Sequence, residues 1–362
     1  MSKINKNQKT FLEQFGDRVT FDKTERLLYG HDMAAIPKLV LPLVGNTTPE
    51  AVVQPENEEE LAAIVSWAYN EGIPLTPRAK ASSGYGGVIP LKKGLVIDFY
   101  RMKKVISLDK NNQTVTVEAG ITWEMLDEQL KKQGFTLRLY PTSYPSSTAG
   151  GWLAQGGAGI GSYQYGYFAE NVISVRVVTP DGRITEFSGD NLSLIAEAEG
   201  ITGFISQVTL KIMPDQDLDI ISVACPDPTD LQQLLDSMVK AELPIWSMMF
   251  INPRMAEMKN RAPLRQHQGH PAEERVILPA SYIITLAFPK KESTQVKSQL
   301  EQLIKACQAE ILSERISRHE WEDRFRLMIV KRLGPSLVPS EVIVPLDSLD
   351  KVMIEIERKV DQ

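Results

Sequence analysis

The residues of this chain whose types and spacing suggest chemistry lie in two small-residue stretches about sixty positions apart. The first reads Pro77-Arg78-Ala79-Lys80-Ala81-Ser82-Ser83-Gly84-Tyr85-Gly86-Gly87, and the second runs from Ser146 to Gly159 through Gly150-Gly151 and Gly156-Gly157. Glycine lets main-chain N–H groups turn toward a ligand and approach it closely. Convergent N–H groups bind a diphosphate without many cationic side chains. Two such stretches can grip one dinucleotide from both sides. Taken alone, the first is equally an ordinary tight connection. Arg78, at a strand end, either meets a phosphate or fixes the loop, and Lys80 reads as solvated. The second has five glycines between 150 and 159 and is harder to explain as a turn.

Gly157-Ala158-Gly159-Ile160-Gly161, followed by Asp181, imitates a Rossmann fingerprint. That fingerprint needs a strand directly before it and a helix opening on its last glycine. The preceding residues are not strand-like, and Asp181 sits in a Pro-Asp-Gly turn, so this reading is rejected.

The elements that must position the two stretches follow from periodicity. Residues 1–35 read as helical and amphipathic, with Phe11, Phe15, Leu27 and Leu28 expected inside. A strand at 51–54 is followed by a helix capped by Asn57, with Glu58, Glu59 and Glu60 favourable in its first turn. Leu61, Ile64, Val65 and Ala68 recur at helical spacing. Residues 73–78 form a strand entering the first stretch, so this segment is a βαβ unit. Strands are predicted at 94–98, 105–109 and 114–120, then a helix from Thr122 to Gln133 stopped by Gly134. After the second stretch come strands at 172–178, 184–187 and 203–212, the first two joined by the turn Pro180-Asp181-Gly182-Arg183. The texture changes near Asp215. Beyond it, helices are expected at 229–241, 291–309, 320–333 and 347–359, a strand at 282–287, and a polar loop at 261–275.

Composition sets outer limits. The chain has 362 residues, 43% hydrophobic and 24% charged, with a formal charge of −6. That length suggests two or three domains with a substantial core. The acidic balance, without a basic run, argues against nucleic-acid binding. Cys225 and Cys307 are the only cysteines, so neither a disulfide framework nor a chain-borne iron–sulfur cluster is expected. A reducing cytoplasm fits best. Neither a signal-peptide core nor a run of about 20 apolar residues is visible. His267 and His270 lie in the polar loop and read as solvated, so no metal is expected.

Several segments, in order, resemble the FAD-binding (PCMH-type) domain of the vanillyl-alcohol-oxidase-like flavoproteins, in the branch of glycolate oxidase FAD subunits and D-lactate dehydrogenases. Tyr29-Gly30-His31-Asp32 is similar to that branch's Tyr-x-x-Asp, and Pro77-Arg78 opens its Pro-Arg-Gly-Gly-Gly-Thr. Val115 to Trp123 resembles Val-x-Val-x-x-Gly-Val-x-Trp. Ser147-Thr148-Ala149-Gly150-Gly151 stands for Ala-Thr-Ile-Gly-Gly, and Glu199 to Ile205 for Glu-Gly-Thr-Leu-Gly-Ile-Ile. The resemblance covers roughly Tyr29 to Pro214.

It implies an α+β chain in three parts: an N-terminal helical segment (1–46), a two-subdomain PCMH-type FAD-binding domain (47–214) and a partial α+β cap domain (215–362). It further implies a bipartite site for non-covalent FAD. The first loop, Pro77, Arg78, Ala79, Lys80, Ala81, Ser82, Ser83, Gly84 and Gly86, would cradle the diphosphate. Thr142, Ser147, Thr148, Gly150, Gly151, Gly156, Gly157, Tyr165 and Gly166, with Glu199, Gly200, Gly203 and Ile205, would line the rest. Trp321 and Arg324 are the cap candidates for the substrate pocket, with core packing the plainer reading of Trp321. The implied activity is oxidation of a 2-hydroxy acid such as glycolate or D-lactate, by hydride transfer to flavin N5. An alcohol or a sugar acid is the rival substrate.

Two departures qualify this. Ala79, Lys80 and Ala81 stand where the family has three glycines, so extra side chains crowd the loop. Full-length members continue about another hundred residues, including a His-x-Gly-Asp-Gly-Asn-x-His segment absent here. A partner subunit that completes the cap or carries iron–sulfur clusters is therefore expected, with exposed apolar surface awaiting it. The location would be cytoplasmic, or peripheral to a membrane through that partner. A non-catalytic scaffold subunit that keeps the fold is the alternative.

Overall fold

The computed structural model describes residues 4–34, 36, 39–264, 274–334 and 340–360. His267 and His270 lie outside these residues. The chain forms two compact units, one of Met1–Gly159 with Tyr165–Asp215, the other of Ile160–Gln164 with Gln216–Gln362.

The first unit contains two sheets. The segment before residue 47 is not wholly helical. Between helices α1 (Lys6–Glu13) and α2 (Lys23–Leu28) it contributes strand β1 (Val19–Thr20), and α3 (Leu41–Val44) follows. β1 pairs antiparallel with β2 (Ala51–Val53), and the sheet continues with β3 (Leu75–Arg78) and β4 (Leu95–Asp98) in the order β1-β2-β4-β3. β4 runs parallel to both β2 and β3 and is buried along its whole length. Helix α4 (Glu58–Asn70) crosses between β2 and β3. Its Asn57 cap accepts from the Glu60 amide at 2.8 Å, and Leu61, Ile64, Val65 and Ala68 form its buried face. Phe11 stacks on Trp67 at 4.3 Å, which fixes α1 on α4. Leu27 and Leu28, expected inside, are instead 49% and 63% exposed. Helix α2 is too short for its apolar stripe to reach the core while its C-terminal carbonyls are held elsewhere.

The second sheet is antiparallel. It contains β5 (Val105–Asp109), β6 (Thr114–Glu118), β8 (Val172–Val178), β9 (Ile184–Ser188) and β10 (Phe204–Pro214) in the order β5-β6-β10-β8-β9, with β7 (Phe135–Leu137) on the far end of β10. Helix α5 (Trp123–Lys131) starts at the Thr122 cap. A buried carboxylate joins the two sheets. Glu58, 5% exposed on α4, takes two bonds from Arg176 Nε at 3.0 and 3.1 Å and one from the Ser206 hydroxyl. A paired, hydrogen-bonded charge of this kind is tolerated inside; an unpaired one is not.

The second stretch does not form a loop throughout. Ala149–Gln155 is a helix, α6, capped by Thr148, and a further turn, α7, spans Ser162–Tyr165. Glycine's poor helix propensity conceals it. The helix is held by contacts made far away in the chain.

The second unit is an antiparallel sheet of β11 (Leu218–Cys225), β12 (Ser247–Ile251), β13 (Tyr282–Pro289) and β14 (Glu310–Ile311), ordered β12-β13-β11-β14. Helices α8 (Pro228–Lys240), α9 (Pro253–Arg261), α10 (Ser293–Leu303), α11 (Glu314–Glu322) and α12 (Leu349–Val360) complete it. Tyr282, Ile284, Leu286 and Phe288 face a core with α8 and α10, while Ile283 faces Ala256 and Leu278. This is the two-residue alternation of a strand covered on both faces. The helix expected at 320–333 instead begins at Glu314, where Ser313 caps it, and gives way to 3-10 turns over Leu327–Leu333. Among the described residues no helix is long and apolar enough to cross a membrane.

Candidate functional site

The first unit holds a cleft at the carboxyl ends of parallel strands β3 and β4, where ligands of open α/β sheets generally sit. β3 delivers Pro77 and Arg78, and then Ala79, Lys80, Ala81, Ser82 and Ser83, all of which line the cleft. β4 delivers Phe99. The opposite wall comes from the second sheet: Ala119 after β6, and Gly203 and Ile205 where β10 begins. The two strand ends meet there because β6 and β10 are antiparallel, and the Ala119 amide bonds the Ser206 carbonyl at 2.9 Å.

Helix α6 closes this wall, and its placement explains the resemblance of two motifs thirty positions apart. The Trp123 amide bonds the Ser147 carbonyl at 3.0 Å, the Ala149 amide bonds Ile121 at 3.2 Å, and the Gly150 amide bonds Ala119 at 2.9 Å. A Cβ on Gly150 would lie 2.5 Å from the Ala119 Cβ, so only glycine permits this approach. Trp152 stacks on Phe168 at 4.3 Å and meets Trp123 edge-on at 5.4 Å, which locks the helix on α5. Gly151 faces across the cleft, where a Cβ on it would be 3.6 Å from the Ala79 Cβ. The two stretches do face each other.

Their main-chain donors differ. Each amide of the first α6 turn is already used: Ala149 and Gly150 as above, Gly151 by the Thr148 hydroxyl at 3.2 Å, and Trp152 by the Thr148 carbonyl at 3.0 Å. The amides of Lys80, Ala81, Ser82 and Gly84 donate to nothing among the described residues. Between the first loop and the first turn of α6, the open donors therefore lie on the first loop.

Arg78 fixes that loop. Its guanidinium bonds the carbonyls of His31 at 2.8 Å, Leu28 at 3.3 Å and Tyr29 at 3.4 Å, and stacks on the Tyr29 ring at 5.1 Å. These include carbonyls at the end of α2 that the helix itself leaves without donors. Burial pulls the Arg78 pKa below its ordinary value, against the pull of Asp98. Tyr29 in turn donates to Asp98 at 2.9 Å, and Gln54 donates to the same oxygen at 2.7 Å. Burial, with Asp98 beside it, pushes the Tyr29 phenol up to about 12. Tyr29-x-x-Asp32 is thus the strap that Arg78 and Asp98 hold against the strand ends.

Three non-glycine residues in or near the cleft carry backbone strain. Ala81 has φ 51°, Glu197 60° and Glu199 51°, a region that L-residues enter at a cost. Glu199 lines the cleft beside Gly200, and burial raises its carboxyl pKa.

Of the residues expected at the site, Ser147, Thr148, Gly150, Gly151, Glu199, Gly200, Gly203 and Ile205 line this cleft together with Pro77 to Ser83. Gly84, Gly86 and Thr142 are near it in sequence but do not line it. Gly156 and Gly157 turn the chain after α6 against Glu197, and Tyr165 and Gly166 lie beyond, with Arg138 over the Tyr165 ring at 5.0 Å. Phe99, Ser143, Gln155, Gly87 and Val88 also line the cleft. Phe99 was legible in principle, because parallel strands end on one side and β4 ends just before it. In the second unit, Arg324 stacks over Trp321 at 4.0 Å and Trp321 meets Trp246 edge-on at 5.9 Å. These contacts suit packing.

Residues 49–188 match the FAD binding domain family. The chain is 28% identical over 370 residues to a mitochondrial D-lactate dehydrogenase (cytochrome) of Arabidopsis thaliana, covering 98% of this chain and 62% of that protein. It is 28% identical over 222 residues to glycolate oxidase subunit GlcD of Bacillus subtilis, covering 58% and 46% respectively. The chain thus spans less than two thirds of the length of these relatives. A solved alkyldihydroxyacetonephosphate synthase shares the fold, with a TM-score of 0.81 and 21% identity over 98% of this chain and 74% of that one.

Proposed function

From the premise that residues 49–188 belong to the FAD-binding domain family, we propose that this protein is the flavin-bearing part of a 2-hydroxy-acid oxidoreductase. The observation that carries the reading is the cleft itself, with unbonded amides on the first loop and α6 opposite them at close range. Those residues fit a dinucleotide: the amides of Lys80 to Gly84 for the diphosphate, and the glycine surface of α6 for close approach. The chemistry that bound FAD supplies is acceptance of a hydride from the hydroxyl-bearing carbon. The protein's own residues hold and orient. Arg78 and Asp98 keep the first loop in register, Gly150 lets α6 approach, and Phe99 and Ile205 give the cleft an apolar floor that excludes water. Trp321 and Arg324 are the candidates for the substrate pocket.

D-lactate or glycolate is the proposed substrate, supported by the relatives named above. A partner subunit is the proposed electron acceptor, because Cys225 and Cys307 cannot form a relay and because Val342 and Ile343 are 70% and 84% exposed. The test is direct. The purified protein should take up added FAD and turn yellow, and anaerobic D-lactate or glycolate should bleach the flavin absorbance. Absence of FAD uptake would overturn the reading. Ala79, Lys80 and Ala81 favour one second reading, a scaffold that keeps the fold without turnover; it predicts a colourless protein or a flavin that no hydroxy acid bleaches.

A further inference from the structure

We propose that Lys80 is the cation that meets the diphosphate of the bound dinucleotide, swinging onto it from a resting place on the Tyr100 ring. This inference rests on the FAD reading above. The charged residues lining the cleft are Arg78, Lys80 and Glu199. Arg78 is committed to three main-chain carbonyls and the Tyr29 ring. Glu199 is acidic and cannot neutralise an anion. Lys80 makes no hydrogen bond or ion pair among the described residues. Its ammonium lies 4.6 Å from the centroid of Tyr100, a ring 47% exposed.

Lys103 lies over the same ring at 4.3 Å. Two ammonium groups share this one exposed ring, and each is held weakly, since a cation–π contact in water is a small interaction. A phosphate oxygen offers the ammonium a charge-assisted bond, which is considerably stronger. Lys80 can make that exchange because it lines the cleft while its ammonium rests on a ring that does not. The need is also plain. A diphosphate brings two negative charges into a cleft that already holds the Glu199 carboxyl, and α6 has no amide left to offer. Here the extra side chains narrow the loop, and one of them returns a charge.

The experiment is FAD titration of the full chain, followed by quenching of flavin fluorescence at low and high salt, with riboflavin as a probe lacking phosphate. Lys80→Gln should weaken FAD binding about tenfold or more and flatten its dependence on salt. Riboflavin binding should not change. Lys80→Arg should retain FAD affinity, and Lys103→Gln should leave both ligands unaffected. Equal FAD affinity in the wild type and Lys80→Gln at low salt would overturn the proposal while leaving the FAD reading standing. So would an equal loss for FAD and riboflavin, which would make Lys80 a support of the loop and not a charge. A wild type that binds no FAD at any salt would overturn the FAD reading and this inference together.

Discussion

Gly150 and Gly151 are neighbours in sequence, yet alanine at each should have opposite consequences. A Cβ at Gly150 would sit 2.5 Å from the Ala119 Cβ and 3.1 Å from that residue's Cα and carbonyl oxygen. Carbon atoms prefer roughly 3.5–4.0 Å. The neighbour cannot retreat freely, because the Ala119 carbonyl accepts the Gly150 amide and the Ala119 amide is tied to Ser206. Overpacking costs about 1–3 kcal/mol, against a helix-propensity gain of at most about 1 kcal/mol. The depth of the clash puts Gly150→Ala near the upper end, a net loss of about 2 kcal/mol. At Gly151 the nearest atoms are Thr148 Oγ1 at 3.0 Å and the Ala79 Cβ at 3.6 Å. That is tolerable for the fold, and the exposed position should keep a gain of about 0.5 kcal/mol. The same methyl, however, touches the far wall of the cleft and should lower FAD affinity about tenfold or more. Urea unfolding at constant slope measures the first effect and flavin-fluorescence titration the second. Should Gly150→Ala prove as stable as the wild type, the close-approach reasoning fails. Should Gly151→Ala bind FAD normally, the dinucleotide does not lie between the two stretches.

Other expectations follow from single positions. Ala81 has φ 51°, which costs an L-residue about 1–2 kcal/mol, while glycine adds about 0.4–1 kcal/mol of unfolded-state entropy. Ala81→Gly should therefore stabilise the protein by about 0.5–1 kcal/mol, and a lower urea midpoint would contradict the strain. Burial raises the Glu199 pKa, so the folded state binds this proton more tightly than the unfolded chain. Its contribution to stability is fully present below the ordinary carboxylate range and is lost as pH rises through the folded-state value. The stability advantage of Glu199→Gln over the wild type should then grow between about pH 4 and 7, and a constant difference would refute the assignment. Lys259 and Glu320, each 5% exposed and 2.6 Å apart, join α9 to α11. Lys259→Met should cost about 3–5 kcal/mol by leaving a buried carboxylate without its ammonium, with only His319 Nε2 at 3.9 Å beside it, and adding Glu320→Leu should recover most of it. Thermal unfolding of the single and double variants decides this.

Much of the fold was legible because it is written in local terms. Asn57 and Thr122 cap the helices they were expected to cap, and Pro180–Arg183 turns the hairpin. Leu61, Ile64, Val65 and Ala68 are buried as their spacing required. Local reasoning failed where the decisive partner was distant. Glycine-rich sequence has low helix propensity, so Ala149–Gln155 read as loop; Thr148, Ala119 and the Trp152–Phe168 stack make it a helix. Leu27 and Leu28 read as core, yet the end of α2 is pulled to Arg78, fifty positions later for Leu28, and the leucines turn outward.

At the site the division is similar. The sequence by itself marked two small-residue stretches and the strands and helices around them, because glycine, proline and strand patterning are properties of single residues and their neighbours, and the resemblance of five ordered segments pointed to an FAD-binding domain. The tertiary structure alone decided which groups remain available to a ligand. Arg78 could have met a phosphate or fixed the loop and is spent on carbonyls, the first turn of the denser glycine stretch has its amides occupied, and Lys80 looked merely solvated and rests on the Tyr100 ring without a hydrogen bond among the described residues. A donor's availability depends on what competes for it, and here the competitors come from sequence up to about fifty residues away.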